Sequence, residues 1–212
     1  MKKGFFIVFE GIDGSGKTTL AKRVVQKLLA DGFEAIFTYE PTNGKWGRKL
    51  RKSFTAHKRL SSKEELELFL KDRKDHIEQI IQPALKNGIT VVCDRYYYST
   101  MAYQGARGID PKMIEKMNKE FAIEPDFVFV LEIPPEKALN RIVKGRKEPL
   151  NNFEKLEYLK KVNKIFKGLK GNHIFHINGD QPLESCLKKV FTILHAHKNW
   201  PAKSLVSMTE HG

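Results

Sequence analysis

Gly11-Ile12-Asp13-Gly14-Ser15-Gly16-Lys17-Thr18 decides the fold. The stretch is a complete G-x-x-x-x-G-K-[ST] loop, whose glycines let backbone N–H groups turn inward around phosphate oxygens. Lys17 then reaches the β and γ oxygens of a nucleoside triphosphate, and the Thr18 hydroxyl is placed to ligate Mg²⁺. The surroundings are the ones the loop needs. An apolar run at residues 5–9 reads as a core strand, and residues 17–30 carry Leu20, Val24 and Leu28 at helical spacing. The set of residues facing ATP is Gly11, Ile12, Asp13, Gly14, Ser15, Gly16, Lys17, Thr18 and Thr19.

Outward from the loop, apolar runs recur at 34–39, 89–93, 127–133 and 173–177. Most are apolar throughout rather than alternating, as in strands covered on both faces. Helix-like stretches separate them at 62–87, 97–105, 111–121, 135–145, 152–170 and 182–197. Alternation of this kind predicts an α/β domain with a five-stranded parallel sheet flanked by helices. Ser62-Lys63-Glu64-Glu65 reads as a capping box, and Pro83 predicts a kink in the long helix that follows. No repeat or linker interrupts the chain, so residues 1–197 read as one domain, with 198–212 as a loosely attached tail.

Composition narrows the class. A hydrophobic fraction of 41 % over 212 residues is enough for a real core. The 38 Lys+Arg against 25 Asp+Glu, a formal charge of +13, favour anionic ligands. Cys93 and Cys186 lie far apart, which argues against a disulfide frame or zinc site and for a reducing compartment. The N-terminal apolar run is cut short by Glu10, so a strand is a better reading than a leader. No apolar run approaches the roughly 18 residues of a membrane helix. A cytoplasmic protein with no membrane contact is expected.

Several nucleotide-hydrolysing classes are excluded. Asn118-Lys119-Glu120-Phe121 and Asn163-Lys164-Ile165-Phe166 both fail the guanine-reading Asn-Lys-x-Asp pattern. The strand ending Val91-Val92-Cys93-Asp94 is followed by Arg95, not by a second acid. That pair sets a metal-directed carboxylate beside a cation, which suits a phosphate-bearing acceptor; a helix cap at Asp94 and a surface Arg95 is the alternative. Ser99-Thr100-Met101-Ala102-Tyr103-Gln104-Gly105 mixes an aromatic with amide and hydroxyl groups able to read a base edge and a sugar. Phe69 and Arg73, four apart, share one helical face. Taken alone, Phe69 reads first as a core residue.

Residues 9–19, Glu40-Pro41-Thr42, Phe69-x-x-x-Arg73, Asp94-Arg95-Tyr96 and Ser99-x-x-Ala102-Tyr103-Gln104-Gly105 together resemble the thymidylate kinase family, in order and in spacing. The resemblance covers roughly residues 4–195 and implies the P-loop nucleoside monophosphate kinase fold with a short mobile lid, here about 141–152. It implies transfer of the ATP γ-phosphoryl group to dTMP, with Mg²⁺ held through Thr18 and Asp94, in a homodimer. Phe69 would stack on thymine, Arg73 would meet its O4 edge, and Thr100 and Gln104 would lie along the base. Tyr103 would close the space beside C2′, Asp13 would hold the sugar 3′-hydroxyl, and Arg95 and Arg48 would hold the acceptor phosphate.

The acceptor oxygen of dTMP is already anionic, so catalysis needs alignment and charge neutralisation rather than a strong base. Lys17 supplies part of the charge. Gly14 leaves the loop without a side-chain cation, so Arg141 or Arg146, in the lid, must supply the rest; an arginine restored at position 14 is expected to rescue their loss in part. Many relatives have Asp-Arg before an apolar-Glu pair, whereas this chain has Asn151-Asn152 before Phe153-Glu154.

Other features carry less. His173 and His176 lie three apart on a strand, face opposite sides and read as structural. The basic stretch 41–60 and the lysines at 160, 161, 164 and 167 read as solvated surface. Asn178-Gly179-Asp180 borders the adenine or is a simple turn. Two competing functions stay open: a kinase for another deoxynucleotide or nucleoside, and a nucleic-acid-binding ATPase. Basic residues without interleaved aromatics speak against the latter, so no nucleic acid partner is expected.

Overall fold

A computed structural model describes residues 4–56, 59–145 and 155–201. In chain order it runs β1 (Phe6–Glu10), α1 (Lys17–Ala30), β2 (Ala35–Tyr39), α2 (Lys45–Thr55) and α3 (Ser62–His76). A π-helical turn, Ile77–Ile81, leads into α4 (Gln82–Lys86), then β3 (Thr90–Asp94), α5 (Tyr97–Gly105) and α6 (Pro111–Lys119). The chain continues through β4 (Phe127–Glu132), α7 (Pro135–Gly145), α8 (Leu156–Lys167), β5 (Ile174–Asn178) and α9 (Leu183–Ala196).

All five strands are parallel, in the order β2-β3-β1-β4-β5. The pleat divides β1 between two cores. Phe6 and Val8, with Val91, Cys93, Val128 and Val130, meet residues of the π turn, α4, α5 and α8. Ile7 and Phe9, with Val92, Phe127 and Phe129, pack against α1 and α9. Both faces are therefore covered, which is why these strands read as unbroken apolar runs. The carboxyl ends of β1, β3 and β4 point to one edge, where open parallel sheets bind their ligands.

Local structure departs from expectation at four places. The capping box is one residue early: Ser61 Oγ accepts from the Glu64 N–H at 3.2 Å, and Glu64 Oε2 accepts from the Ser61 N–H at 2.8 Å. Both serine–glutamate pairs have the right spacing, but Glu65 is turned inward, fully buried against Arg59 and Gln104. Ahead of Pro83 the helical ladder widens into a π turn, and Gln82 N–H bonds back to the Ile77 carbonyl, five residues earlier. A π turn is a known way to accommodate a residue that cannot donate. The basic stretch contains α2, whose Gly47 and Leu50 are buried; a Cβ at Gly47 would lie 2.0 Å from the Thr42 carbonyl oxygen. Finally, the segment after α9 is anchored at its start. Trp200 is 9 % exposed, with its ring 4.8 Å from Phe5 and 5.8 Å from Phe33 between centroids. Residues 202–212 and most of the expected lid lie outside the described residues, and no helix among those described is long and apolar enough to cross a membrane.

Candidate active site

The phosphate loop leaves β1 and turns through Gly11 (φ 135°), Gly14 (φ 78°) and Gly16 (φ 95°) before α1 begins. At Gly14 the left-handed backbone and a close neighbour act together. A Cβ there would lie 2.4 Å from the Ala138 carbonyl oxygen of α7 and 3.1 Å from Ile142. An arginine at position 14 therefore has no room, and the expected rescue is withdrawn. Lys17 is 5 % exposed and donates to the Ile12 carbonyl at 2.8 Å. Burial, then the nearby Arg95 charge, pulls its amine down to about 8.

Thr18 Oγ1 donates to Asp94 Oδ2 across the head of the sheet. The other carboxylate oxygen, Asp94 Oδ1, is buried with no hydrogen-bond partner among the described residues. A hydroxyl and a half-satisfied carboxylate side by side fit a hard cation that takes most of its ligands from phosphate and water.

Arg95 follows directly in the left-handed region, at φ 73°. Its Nη2 donates to Asp13 Oδ1 at 2.6 Å and its Nη1 to Ser99 Oγ at 3.0 Å, and the guanidinium carbon lies 5.1 Å from the Tyr103 ring centroid. Tyr103 Oη in turn donates to Asp13 Oδ2 at 2.8 Å. Helix α5, which carries these groups, has no cap of its own. Glu10, from the end of β1, takes that role: it accepts from the N–H groups of Tyr96 (2.8 Å) and Ser99 (3.1 Å) and from Ser99 Oγ (2.6 Å). Burial pushes the Glu10 carboxyl up to about 7, against the pull of those donors. Its place at the end of β1, on a different element from the helix it caps, concealed this role in the sequence.

These groups border a cavity of about 250 Å³. Asp13, Phe69, Arg73, Arg95, Thr100 and Tyr103, all expected from the sequence, line it. Two expected residues are elsewhere. Arg48 is exposed and donates to the Asn43 carbonyl, while Arg51, one turn on, lines the cavity and donates to Pro41 O at 2.6 Å. The pattern of the basic stretch could not choose between them without α2. Gln104 is fully buried, donates to Glu65 at 3.0 Å and does not line the cavity. Phe54, also from α2, stacks on Phe69 at 6.4 Å and was missed for the same reason.

At the far end Arg73 is 1 % exposed. It donates from Nε and Nη2 to Glu40 Oε2 at 2.9 and 2.6 Å, and from Nη2 to Thr100 Oγ1 at 3.0 Å. Burial raises the Glu40 carboxyl, but Arg73 and His76 outweigh it and hold the group below its ordinary range. His76 bridges Glu40 (3.1 Å) and Thr38 (2.6 Å).

A second cavity, about 230 Å³, opens on the other side of the phosphate loop. Ser15, Thr19, Leu131, Gly179 and Gln181 border it, together with Arg141. Arg141 Nη1 lies 3.3 Å from the Gly179 carbonyl oxygen, and its Nη2 lies 3.7 Å from Asp180. Gly179 is thus part of a cavity wall as well as of a turn. Arg146 lies outside the described residues.

Comparison with known proteins agrees with this layout. The family described as thymidylate kinase matches residues 9–190. A thymidylate kinase of Desulfotalea psychrophila is 44 % identical over 187 residues, covering 88 % of this chain and 92 % of its own. One from Brachyspira hyodysenteriae is 41 % identical over 203 residues, covering 96 % and 99 %. One from Akkermansia muciniphila is 44 % identical over 189 residues, covering 89 % and 90 %. Likeness over nearly the whole of both partners goes with the same phosphate loop, parallel sheet and acceptor cavity: the chain belongs to the thymidylate kinase family.

Proposed function

We propose that the protein transfers the γ-phosphoryl group of ATP to the 5′-phosphate of dTMP, giving dTDP and ADP, and works as a cytoplasmic homodimer. One observation carries the acceptor assignment. A single cavity is lined by two arginines, Arg51 and Arg95, the latter tied to Asp13 of the phosphate loop, and also by Phe69, Thr100 and the buried, Glu40-paired Arg73. Phosphate and base of one mononucleotide fit that set of groups.

Each residue then has a task. Arg95 and Arg51 hold the acceptor phosphate, whose oxygen attacks as an anion, so positioning and charge dispersal do the catalysis. Lys17 exchanges the Ile12 carbonyl for phosphate oxygens of the donor. Asp13, tied to Arg95 and Tyr103, meets the 3′-hydroxyl, and the Tyr103 ring fills the space where a ribose 2′-hydroxyl would sit. Phe69 stacks on the base while Arg73 donates to O4, an acceptor that cytosine replaces with an amino group. The donor nucleoside occupies the second cavity, with Arg141 against it. Arg146 remains the candidate cation for the moving phosphoryl group. Thr18 and Asp94 would hold Mg²⁺, which when bound neutralises charge on the β and γ phosphates.

Coupled measurement of ADP release over a nucleotide panel tests the proposal. dTMP should give the highest kcat/KM, above dUMP and far above dCMP, dGMP and nucleosides. A preference for any nucleoside, or ATP hydrolysis that needs nucleic acid and no mononucleotide, overturns it.

A further inference from the structure

Behind the base end of the acceptor cavity, the Arg73 guanidinium meets a third partner that belongs to none of the sequence blocks. Asn118, on α6, is fully buried, and its Oδ1 accepts from Arg73 Nη1 at 2.6 Å. The amide cannot be turned over. Its Nδ2 donates to the Ile114 carbonyl at 2.7 Å, and a flip would set N–H against N–H at Arg73 and oxygen against oxygen at Ile114.

A guanidinium has five N–H donors and no acceptor. Glu40 takes Nε–H and one Nη2–H, Thr100 takes the other Nη2–H, and Asn118 takes one Nη1–H. The second Nη1–H has no acceptor among the described residues, and Arg73 lines the cavity. Glu40 holds one edge of the guanidinium plane; among the described residues only Asn118 accepts from the Nη1 side.

We propose that Asn118 is a specificity-determining positioning residue, which fixes Arg73 Nη1 so that its remaining hydrogen faces the cavity as an immovable donor and selects 4-oxo over 4-amino pyrimidines. This rests on the reading of the cavity as the dTMP site. An immovable donor meets O4 of thymine and collides with the 4-amino hydrogens of cytosine. Rejection by a fixed, buried polar group is stronger than rejection by shape alone. Without the amide, both Nη1 hydrogens lack an acceptor among the described residues. The guanidinium then tilts, or takes a water that turns to suit either base, and the penalty on cytosine falls.

The test is steady-state kinetics of Asn118→Leu and Asn118→Asp with dTMP, dCMP and ATP. Asn118→Leu should raise KM for dTMP about tenfold and narrow the dTMP-to-dCMP ratio of kcat/KM by about tenfold, with KM for ATP nearly unmoved. Asn118→Asp keeps an oxygen on Arg73 and, with its other oxygen protonated toward the Ile114 carbonyl, should keep most of the ratio. A parental ratio in Asn118→Leu, or an equal loss in both variants, overturns the proposal. Should Asn118→Leu fail to fold in a thermal melt, Asn118→Ser, too short to reach Arg73, is read in the same way. Arg73→Gln separates the levels. If the parent itself shows no preference for dTMP over dCMP, the functional reading fails. If Arg73→Gln loses the preference and Asn118→Leu keeps it, only the role of Asn118 fails.

Discussion

Lys17 is held almost out of water by its own loop, so in the free protein its ammonium competes with burial before any phosphate arrives. With its amine pulled down to about 8, the protonated form dominates below that pH and the neutral form above it. Only the protonated form neutralises phosphate. Accordingly, kcat/KM for ATP should fall as pH rises through about 8, whereas the limb in kcat should lie higher, because bound phosphates favour the charged amine. A kcat/KM profile flat to pH 9.5 or so would remove Lys17 from the titration. Tyr103 poses a question of shape against polarity. Its ring fills space beside Asp13, and its hydroxyl binds the Asp13 carboxylate. Tyr103→Ala should narrow the preference for dTMP over its ribonucleotide by about tenfold, while Tyr103→Phe should preserve it and lower turnover through the loosened Asp13. Equal ratios of kcat/KM in all three proteins would mean that the ring does not police the sugar. Residues such as these are legible in the sequence because each stands at a fixed offset within a short block. Asn118, Glu10 and Arg51 are not. Asn118 and Glu10 act across elements, and Arg51 becomes readable only once a helix is known to run through an all-basic stretch.

Helix α7 and the phosphate loop meet at close range. The Ala138 carbonyl fills the place of a Gly14 side chain, so the helix leading to residue 146 rests directly on the loop that holds the donor. Gly14→Ala should therefore cost about 1–3 kcal/mol of stability and lower kcat/KM for ATP, since it strains a left-handed residue and pushes α7 away. Combining Gly14→Arg with Arg146→Ala should restore no activity. Chemical denaturation and ATP kinetics on these variants decide it; a fully active Gly14→Ala protein would show that α7 gives way freely. Elsewhere the sequence located elements well. All five strands lie within a residue or two of their apolar runs, and α1, α5 and α7 match their expected bounds, because both-face burial and helical spacing leave clear traces. The misses have local causes. Adjacent Ser61-Ser62 and Glu64-Glu65 satisfy one spacing rule twice, and only the inward turn of Glu65 separates them. Helix α2 lacks an acidic first turn and a capping side chain, so nothing marks its start.

At the scale of the whole molecule, one end of the chain closes the other. Trp200 covers Phe5 and Phe33 and lies 6.0 Å from Phe127, sealing the α1–α9 core at the edge away from the ligand cavities. Trp200→Ala should cost about 3–5 kcal/mol, measured by denaturant unfolding, with kcat and both KM values nearly unchanged. An unaltered unfolding midpoint would return this segment to the loosely attached tail suggested by its sequence. The protein's only other tryptophan has a different setting. Trp46 lies on α2, the helix of Arg51 and Phe54, with Lys45 and Lys71 ammonium groups 4.6 and 5.2 Å from its ring centroid. The molecule thus carries two intrinsic fluorophores assigned to separate events. In Trp46→Phe the remaining emission comes from the sealed core and follows unfolding; in Trp200→Phe it comes from α2, the helix whose Arg51 and Phe54 line the acceptor cavity, so titration with nucleotide becomes an optical record of that helix.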